Sequence, residues 1–461
     1  MTKLYCARWV LPIVSGPIED GAVAVEGARV AGVGKRAEIR ERFPAAEVEE
    51  LGEAVIAPGF VNCHTHLELT AMRGFLEPEE GDFFAWLRKV TVSRGERMSA
   101  EDLYVSAAWG AIEAARAGVT CVGDASDSGV TTMRALRDSG LRGVVFQEAF
   151  GPDAALAAEQ FDKARAKIEA LRGGETALVT LGLSPHSPYT VSPTLLKLLA
   201  RYAIEERLPL MMHAAESDAE QRLMLEGAGP FAEAYARRGF AFDSPRTTTV
   251  RHLAQTGVLE ARPLLAHCVR VDDGDIQLMK EHGVGVAHCP KSNAKLGHGR
   301  APLASMLSAG VRVGLGSDSV ASNNTCDMLE EARFALLASR AAGDTLEGEL
   351  RTELEGGRMV DAADALRLMT RGGAEAMNMQ SLTGALAEGL EADLAAVRLD
   401  AAHQTPAYDP AAALVFSSGA RDVLLTVVAG REVFRDGRVT TLDEEDLRTR
   451  VRDLARRLAA T

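Results

Sequence analysis

The 461-residue sequence is poor in aromatic residues (5%), carries no excess of positive charge, and has no apolar run approaching the length of a membrane span. At a net charge of −14 it lacks the basic footprint of a nucleic-acid binder, and its few rings offer little stacking surface for single strands. None of the six cysteines forms a C-x-x-C pair. Cys63, Cys268 and Cys289 lie beside histidines in apolar stretches, which reads as reduced thiols and not as a disulfide framework. The N-terminal MTKLYCARWVLPIV is apolar but holds Arg8 and lacks a cleavage-like site, so no signal peptide is expected. These absences point to a cytoplasmic protein acting on a small molecule, with neither nucleic acid nor membrane as partner. What is present is an ordinary globular balance, 47% apolar and 25% charged, able to bury a large core.

Residues 1–56 show short alternating runs separated by turn signals such as Gly16-Pro17 and Glu26-Gly27, the pattern of a small β-layer. From Val55 onward short apolar strands alternate with amphipathic helical stretches. Eight strands are countable: Val55–Val61, Gly118–Ala125, Gly143–Phe150, Leu178–Ser184, Pro209–Ala215, Leu264–Val269, Gly283–Cys289 and Val311–Ser317. Eight βα units predict an α/β fold, a (β/α)8 TIM barrel over 57–379; a doubly wound open sheet is the competing topology. Strand-and-turn patterning returns from Gly384, so 380–443 is expected to join 1–56 in one small β-sandwich built from both termini, with 444–461 a closing helix. Large barrels often pair, and a homodimer is the assembly to expect beyond a monomer.

The histidines favour the barrel. Active sites of such folds sit at strand C-termini, and His64, His66, His186, His213, His267 and His288 all fall at ends of the same polarity. The other four (His252, His282, His298, His403) lie in helices or loops, where a solvated surface is the default. In an extended strand His64, His66 and Glu68 share one face. His64, His66, His213 and Asp318 can supply the imidazole and carboxylate ligands of one divalent ion, Zn2+ or Fe2+. Such an ion lowers the pKa of water from about 15.7 toward roughly 7. Glu216, three residues after His213, suits a general acid/base, against the alternative of a helix-start glutamate. His267 can hydrogen-bond the reaction centre, and Asp318 can also orient the nucleophile. The fourth strand, LVTLGLS, offers no lysine or glutamate to bridge two metals, which favours a mononuclear site.

Five blocks, PGFVNCHTHLE (58–68), SPHSPYT (184–190), HAAE (213–216), LAHC (265–268) and LGSDSVASNN (315–324), resemble the amidohydrolase superfamily in its cytosine deaminase-like, chlorohydrolase branch. The resemblance implies a (β/α)8 barrel, one metal on the ligands above, Glu216 as proton shuttle, and hydrolytic deamination of a cyclic amidine. SPHSPYT is similar to deaminases of S-adenosylhomocysteine, methylthioadenosine and adenosine, which implies a substrate-binding role for His186. His64–Glu68 followed by GDFFAWLRKV (81–90) is closer to the 6-amino-6-deoxyfutalosine deaminases of menaquinone biosynthesis, and that substrate is the leading expectation. Glu68, Arg73, Trp86 and His288 are the further substrate-contact candidates, set against a helix face packed on the barrel for Trp86 and plain surface exposure for Arg73. A triazine-type chlorohydrolase or aminohydrolase is the other enzymatic alternative. A metal-free scaffold would show eroded ligands, and here they are intact.

Overall fold

The computed structural model describes residues 2–239, 242–346 and 357–460. Eight parallel strands carry the larger part of the chain. Phe60–Thr65, Val119–Ser126, Arg142–Ala149 and Val179–Pro185 pair in chain order as one four-stranded sheet; Met211–Ala214, Leu264–His267, Gly285–His288 and Arg312–Leu315 pair as another. A parallel bridge joins them at each seam, Leu183 to Leu210 and Thr65 to Asp318, which brings the ends of the series together in a (β/α)8 ring. The strands are buried along almost their whole length, as parallel strands covered on both faces must be. Val61, Cys63, Phe146, Met211 and Leu264 fill the interior, and Ala374, Ala376 and Met377 pack with them at its base.

The termini share one structure, but the expected sandwich is by hydrogen bonding a single nine-stranded sheet. Its order runs Arg438–Val439, Arg431–Arg435, Val423–Val428, Leu394–Arg398, Ala54–Pro58, Thr2–Val10, Ile18–Glu26 and Arg29–Lys35, with Glu47–Glu50 also on Thr2–Val10. The halves fuse because Ala54–Pro58 pairs parallel with Trp9 and Val10 on one side and antiparallel with Leu394–Arg398 on the other. Alternation along Thr2–Val10 sends Tyr5 and Ala7 to one apolar cluster with Ile56, Leu394 and Val427, and Leu4 and Cys6 to another with Ile39.

One predicted strand is therefore two. The run Val55–Val61 breaks at Gly59: Ala54–Pro58 belongs to the terminal sheet and the barrel begins at Phe60. A Cβ on Gly59 would lie 2.1 Å from Thr120 Cγ2, so the chain crosses from sheet to barrel where only glycine fits. The closing helix, Glu444–Ala459, buries Leu447, Val451, Leu454 and Leu458 at helical spacing on the barrel helix Ala100–Arg116.

Arg142, at the start of the third barrel strand, is fully buried and donates through Nε to Asp393 Oδ2 at 2.9 Å, with Glu391 as a second partner. This pair ties the barrel to the terminal sheet. Arg142→Met leaves Asp393 buried without its counter-charge and is expected to cost about 3–5 kcal/mol, read as a lower denaturation midpoint. Adding Asp393→Asn should restore part of the loss.

Candidate active site

Asp124 and Gly316 set the position of the first histidine pair. Asp124 Oδ2 accepts from Thr65 Oγ1 and from the Leu67 amide, both at 2.7 Å, which turns the chain out of the strand and into the short helix Leu67–Met72. A Cβ on Gly316 would lie 2.8 Å from His64 Cβ, so the eighth strand can lie against His64 only with glycine there. At the strand ends His66 Nε2 lies 3.2 Å from His213 Nε2, and Asp318 Oδ1 lies 3.3 Å from His64 Nε2 and 3.6 Å from His66 Nε2.

The surrounding hydrogen bonds aim these atoms. His213 Nδ1 donates to the His186 carbonyl at 2.9 Å, which frees Nε2 as a lone-pair donor. Asp318 Oδ2 accepts from Ser292 and Ser322 hydroxyls at 2.6 and 2.8 Å, leaving Oδ1 to face the imidazoles. Burial opposes ionisation of Asp318, but His64, His267 and His66 outweigh it and hold the carboxyl well below its usual range. Burial and the neighbouring His64 push His66 far down and His213 down to about 3, so both rings are neutral. Both ring nitrogens of His64 are buried and accept or donate no hydrogen bond among the described residues. Two neutral imidazoles, His66 and His213, and the Asp318 carboxylate converging on the unsatisfied His64 fit a divalent ion of the zinc or iron kind.

Glu216 stands beside this cluster. Its Oε1 lies 3.7 Å from His267 Nε2 and 3.4 Å from His298 Nε2, and its Oε2 accepts from the Tyr189 hydroxyl at 3.4 Å. Burial raises the carboxyl, yet His267, His298 and His213 together bring it down to about 2. His267 Nδ1 pairs with Asn293 Oδ1 at 2.9 Å, which turns Nε2 toward Glu216. Burial lowers the His267 imidazole, but Glu216 and Asp318 raise it above its ordinary value on balance. His267 and Asp318 have positive φ, 76° and 56°, a backbone cost concentrated where these side chains leave their strands.

A cavity of about 630 Å³ opens over the cluster, walled by Phe83, Phe84, Trp86, Tyr189, Phe231 and Tyr235, with His186, Glu148 and Arg94 among its polar lining. His186 and Trp86 thus lie where a substrate contact requires. Three candidates do not. Glu68 is fully buried away from the cavity and accepts from Ser126 Oγ at 2.6 Å, Ser128 N at 3.2 Å and Arg94 Nη1 at 3.2 Å; the strand's period of two ends at Thr65, before it can align Glu68 with the ligands. Arg73 pairs with Glu113 in a separate groove beside Trp109 and Arg448. His288 lines another cavity, of about 310 Å³, with Arg300 and Phe334. Conversely His298, expected at the surface, is buried against Glu216, its ring edge-on to Phe83 at 4.5 Å. Arg94 and Glu148 were also absent from the expected set. Glu148 is the penultimate residue of the third strand, so the strand-end rule that located the histidines could have found it.

Residues 55–433 match the Amidohydrolase family, and residues 21–46 match the imidazolonepropionase-like composite domain of bacteria. The chain is 34% identical over 445 residues to a 5-methylthioadenosine/S-adenosylhomocysteine deaminase of Pelotomaculum thermopropionicum, covering 96% of this chain and 95% of that protein. The crystal structure of an adenosine deaminase from Xanthomonas campestris with bound zinc has a TM-score of 0.85 at 26% identity, covering 100% of this chain and 99% of that one. Atrazine chlorohydrolase from Arthrobacter aurescens, complexed with zinc, shares the fold at a TM-score of 0.83 and 24% identity, covering 98% of this chain and 100% of that one.

If the two hydroxyls on Asp318 orient it as a ligand, Ser292→Ala with Ser322→Ala should weaken divalent-ion binding about 10- to 100-fold. Chelator competition monitored by ion release checks this; unchanged affinity would remove that role.

Proposed function

The chain belongs to the amidohydrolase family, and from that premise we propose that it hydrolytically deaminates a 6-aminopurine nucleoside extended at the 5′ position. The observation that carries this reading is the placement of Glu216, ionised and flanked by His267 and His298, between the ligand cluster and an aromatic cavity large enough for a nucleoside. The relatives named methylthioadenosine/S-adenosylhomocysteine deaminases support a thioether-bearing substrate over the futalosine-type one that the sequence led us to expect.

His64, His66, His213 and Asp318 would hold a divalent ion, which when bound acts as a Lewis acid and makes water more acidic. Glu216 takes a proton from the attacking water as the new C–O bond forms at the ring carbon and the C=N π pair moves onto the adjacent ring nitrogen. It then delivers that proton to the amino nitrogen, so that the C–N bond breaks, the ring nitrogen's pair re-forms the C=N bond and ammonia leaves. A carboxyl held near 2 is ready to accept at neutral pH. His267, its ring favoured toward the protonated form, donates a hydrogen bond to the attacking oxygen and holds it against the ring carbon. The Tyr189 hydroxyl steadies the other Glu216 oxygen, while Phe83 and Trp86 supply a face for the base.

A second reading keeps the chemistry and changes the 5′ group. The aromatic wall, with Arg88 and Arg238 also on the cavity lining, suits an aryl carboxylate of the 6-amino-6-deoxyfutalosine type.

Ammonia release by metal-loaded protein from methylthioadenosine, S-adenosylhomocysteine, adenosine, 6-amino-6-deoxyfutalosine and guanine tests both readings. The first two should turn over fastest, and Glu216→Gln should cut the rate about 10²- to 10⁴-fold with bound metal unchanged. Turnover of the futalosine compound alone would select the second reading. Inactivity on all five would sink nucleoside deamination.

A further inference from the structure

Glu148 is an acidic side chain of the cavity, close to the ligand cluster, that the proposed chemistry leaves unused. It is the penultimate residue of the third barrel strand, Arg142–Ala149, and its side chain is 1% exposed. Neither carboxylate oxygen accepts a hydrogen bond among the described residues. Arg94 Nη1 pairs with Oε2 electrostatically at 3.5 Å, and the neutral His186 ring brings Nε2 to 3.9 Å from Oε1. A buried carboxyl with no hydrogen bond to either oxygen is costly, and such groups in native proteins call for a partner.

The chemistry of that partner follows from Arg94. Its guanidinium already pairs with Glu68 at 3.2 Å and with Asp127 at 3.3 Å, and Asp127 is also held by Lys167 at 2.9 Å. The cation is therefore spent on fixed carboxylates and is not free to receive an anionic ligand. What this corner of the cavity offers is acceptor oxygens, which suit a ligand that donates. Position narrows the choice further. Ligand atoms of Glu148, His186 and His213 lie within 4.8 Å of one another, so Glu148 is one ring's reach from the catalytic cluster. The donor must then belong to a group bonded directly to the base, whereas a 5′ extension would run further out along the aromatic wall.

We propose that Glu148, backed by Arg94, accepts hydrogen bonds from the ribose hydroxyls of the substrate and so makes the enzyme select ribonucleosides over deoxyribonucleosides and free bases. This rests on the nucleoside deaminase reading. The sugar is thereby read by the third strand, while the metal ligands and Glu216 handle the amino group.

The test compares kcat/KM for adenosine and methylthioadenosine with their 2′-deoxy and 3′-deoxy forms, in wild type, Glu148→Gln and Glu148→Met. Calorimetric binding of inosine and 2′-deoxyinosine supplies a readout independent of turnover. Wild type should favour at least one hydroxylated form on the order of 10-fold, the scale of a hydrogen bond made in a buried site. Glu148→Met should bring that ratio to within a few-fold of one and Glu148→Gln, which keeps one acceptor oxygen, should lower it less, with stoichiometric metal and an unchanged melting profile reporting intact folding. A ratio that survives in both variants, or a wild type indifferent to the hydroxyls, would overturn the assignment to Glu148 while leaving the deaminase reading in place. Wild type that deaminates no nucleoside would overturn both.

Discussion

His64 is buried with neither ring nitrogen hydrogen-bonded among the described residues, and much of the upper barrel is arranged around that one costly placement. Gly316 gives it room, the Asp318 amide donates to its carbonyl at 2.8 Å, and the turn pinned by Asp124 brings His66 beside it. An unpaired buried imidazole is tolerable in a folded protein when a ligand completes its coordination. The same logic accounts for the positive φ at His267 and Asp318. A ring of parallel strands is rigid enough to hold several such residues at once, because its strands are joined to neighbours on both sides by ladder pairs or bridges.

Around that centre, polarity is rationed. The cavity wall is largely aromatic, which excludes water and strengthens the few charges that reach in. Two of the carboxyls among them differ in kind. Glu216 is kept ionised by imidazoles. Burial pushes the Glu148 carboxyl the opposite way, up to about 8, despite Arg94 beside it. Two glutamates of one cavity are thereby driven apart in acidity, one suited to moving a proton and the other to holding hydrogen bonds.

Much of this was legible from residue order. A polar residue that ends a buried parallel strand has few reasons to be there, so His64, His66, His213, His267 and Asp318 declared themselves, and Glu216 followed from its place after His213. Legibility failed where the backbone left the strand. Glu68 was read by extending a period of two through a segment that Asp124 bends into a helix. His298 does lie in a loop, and it looked solvent-facing because its neighbour, Glu216, is remote in sequence. His288 obeys the strand-end pattern yet faces a different cavity, since a four-residue strand gives no sequence sign of which side its last residue takes. The terminal sheet was recognisable by its turns, but the strand that fuses its halves was hidden inside an apolar run continuous with the barrel's first strand.

The strand Ala54–Pro58 has a consequence for synthesis. It leaves the ribosome early, with Thr2–Val10 available along one side, but its other partner is Leu394–Arg398. At about 5–20 residues per second, an apolar strand edge waits some tens of seconds for the chain that covers it. Folding of this enzyme therefore cannot finish in the order in which it is made, and exposure of that edge in the nascent chain is where chaperone protection or premature aggregation would be decided.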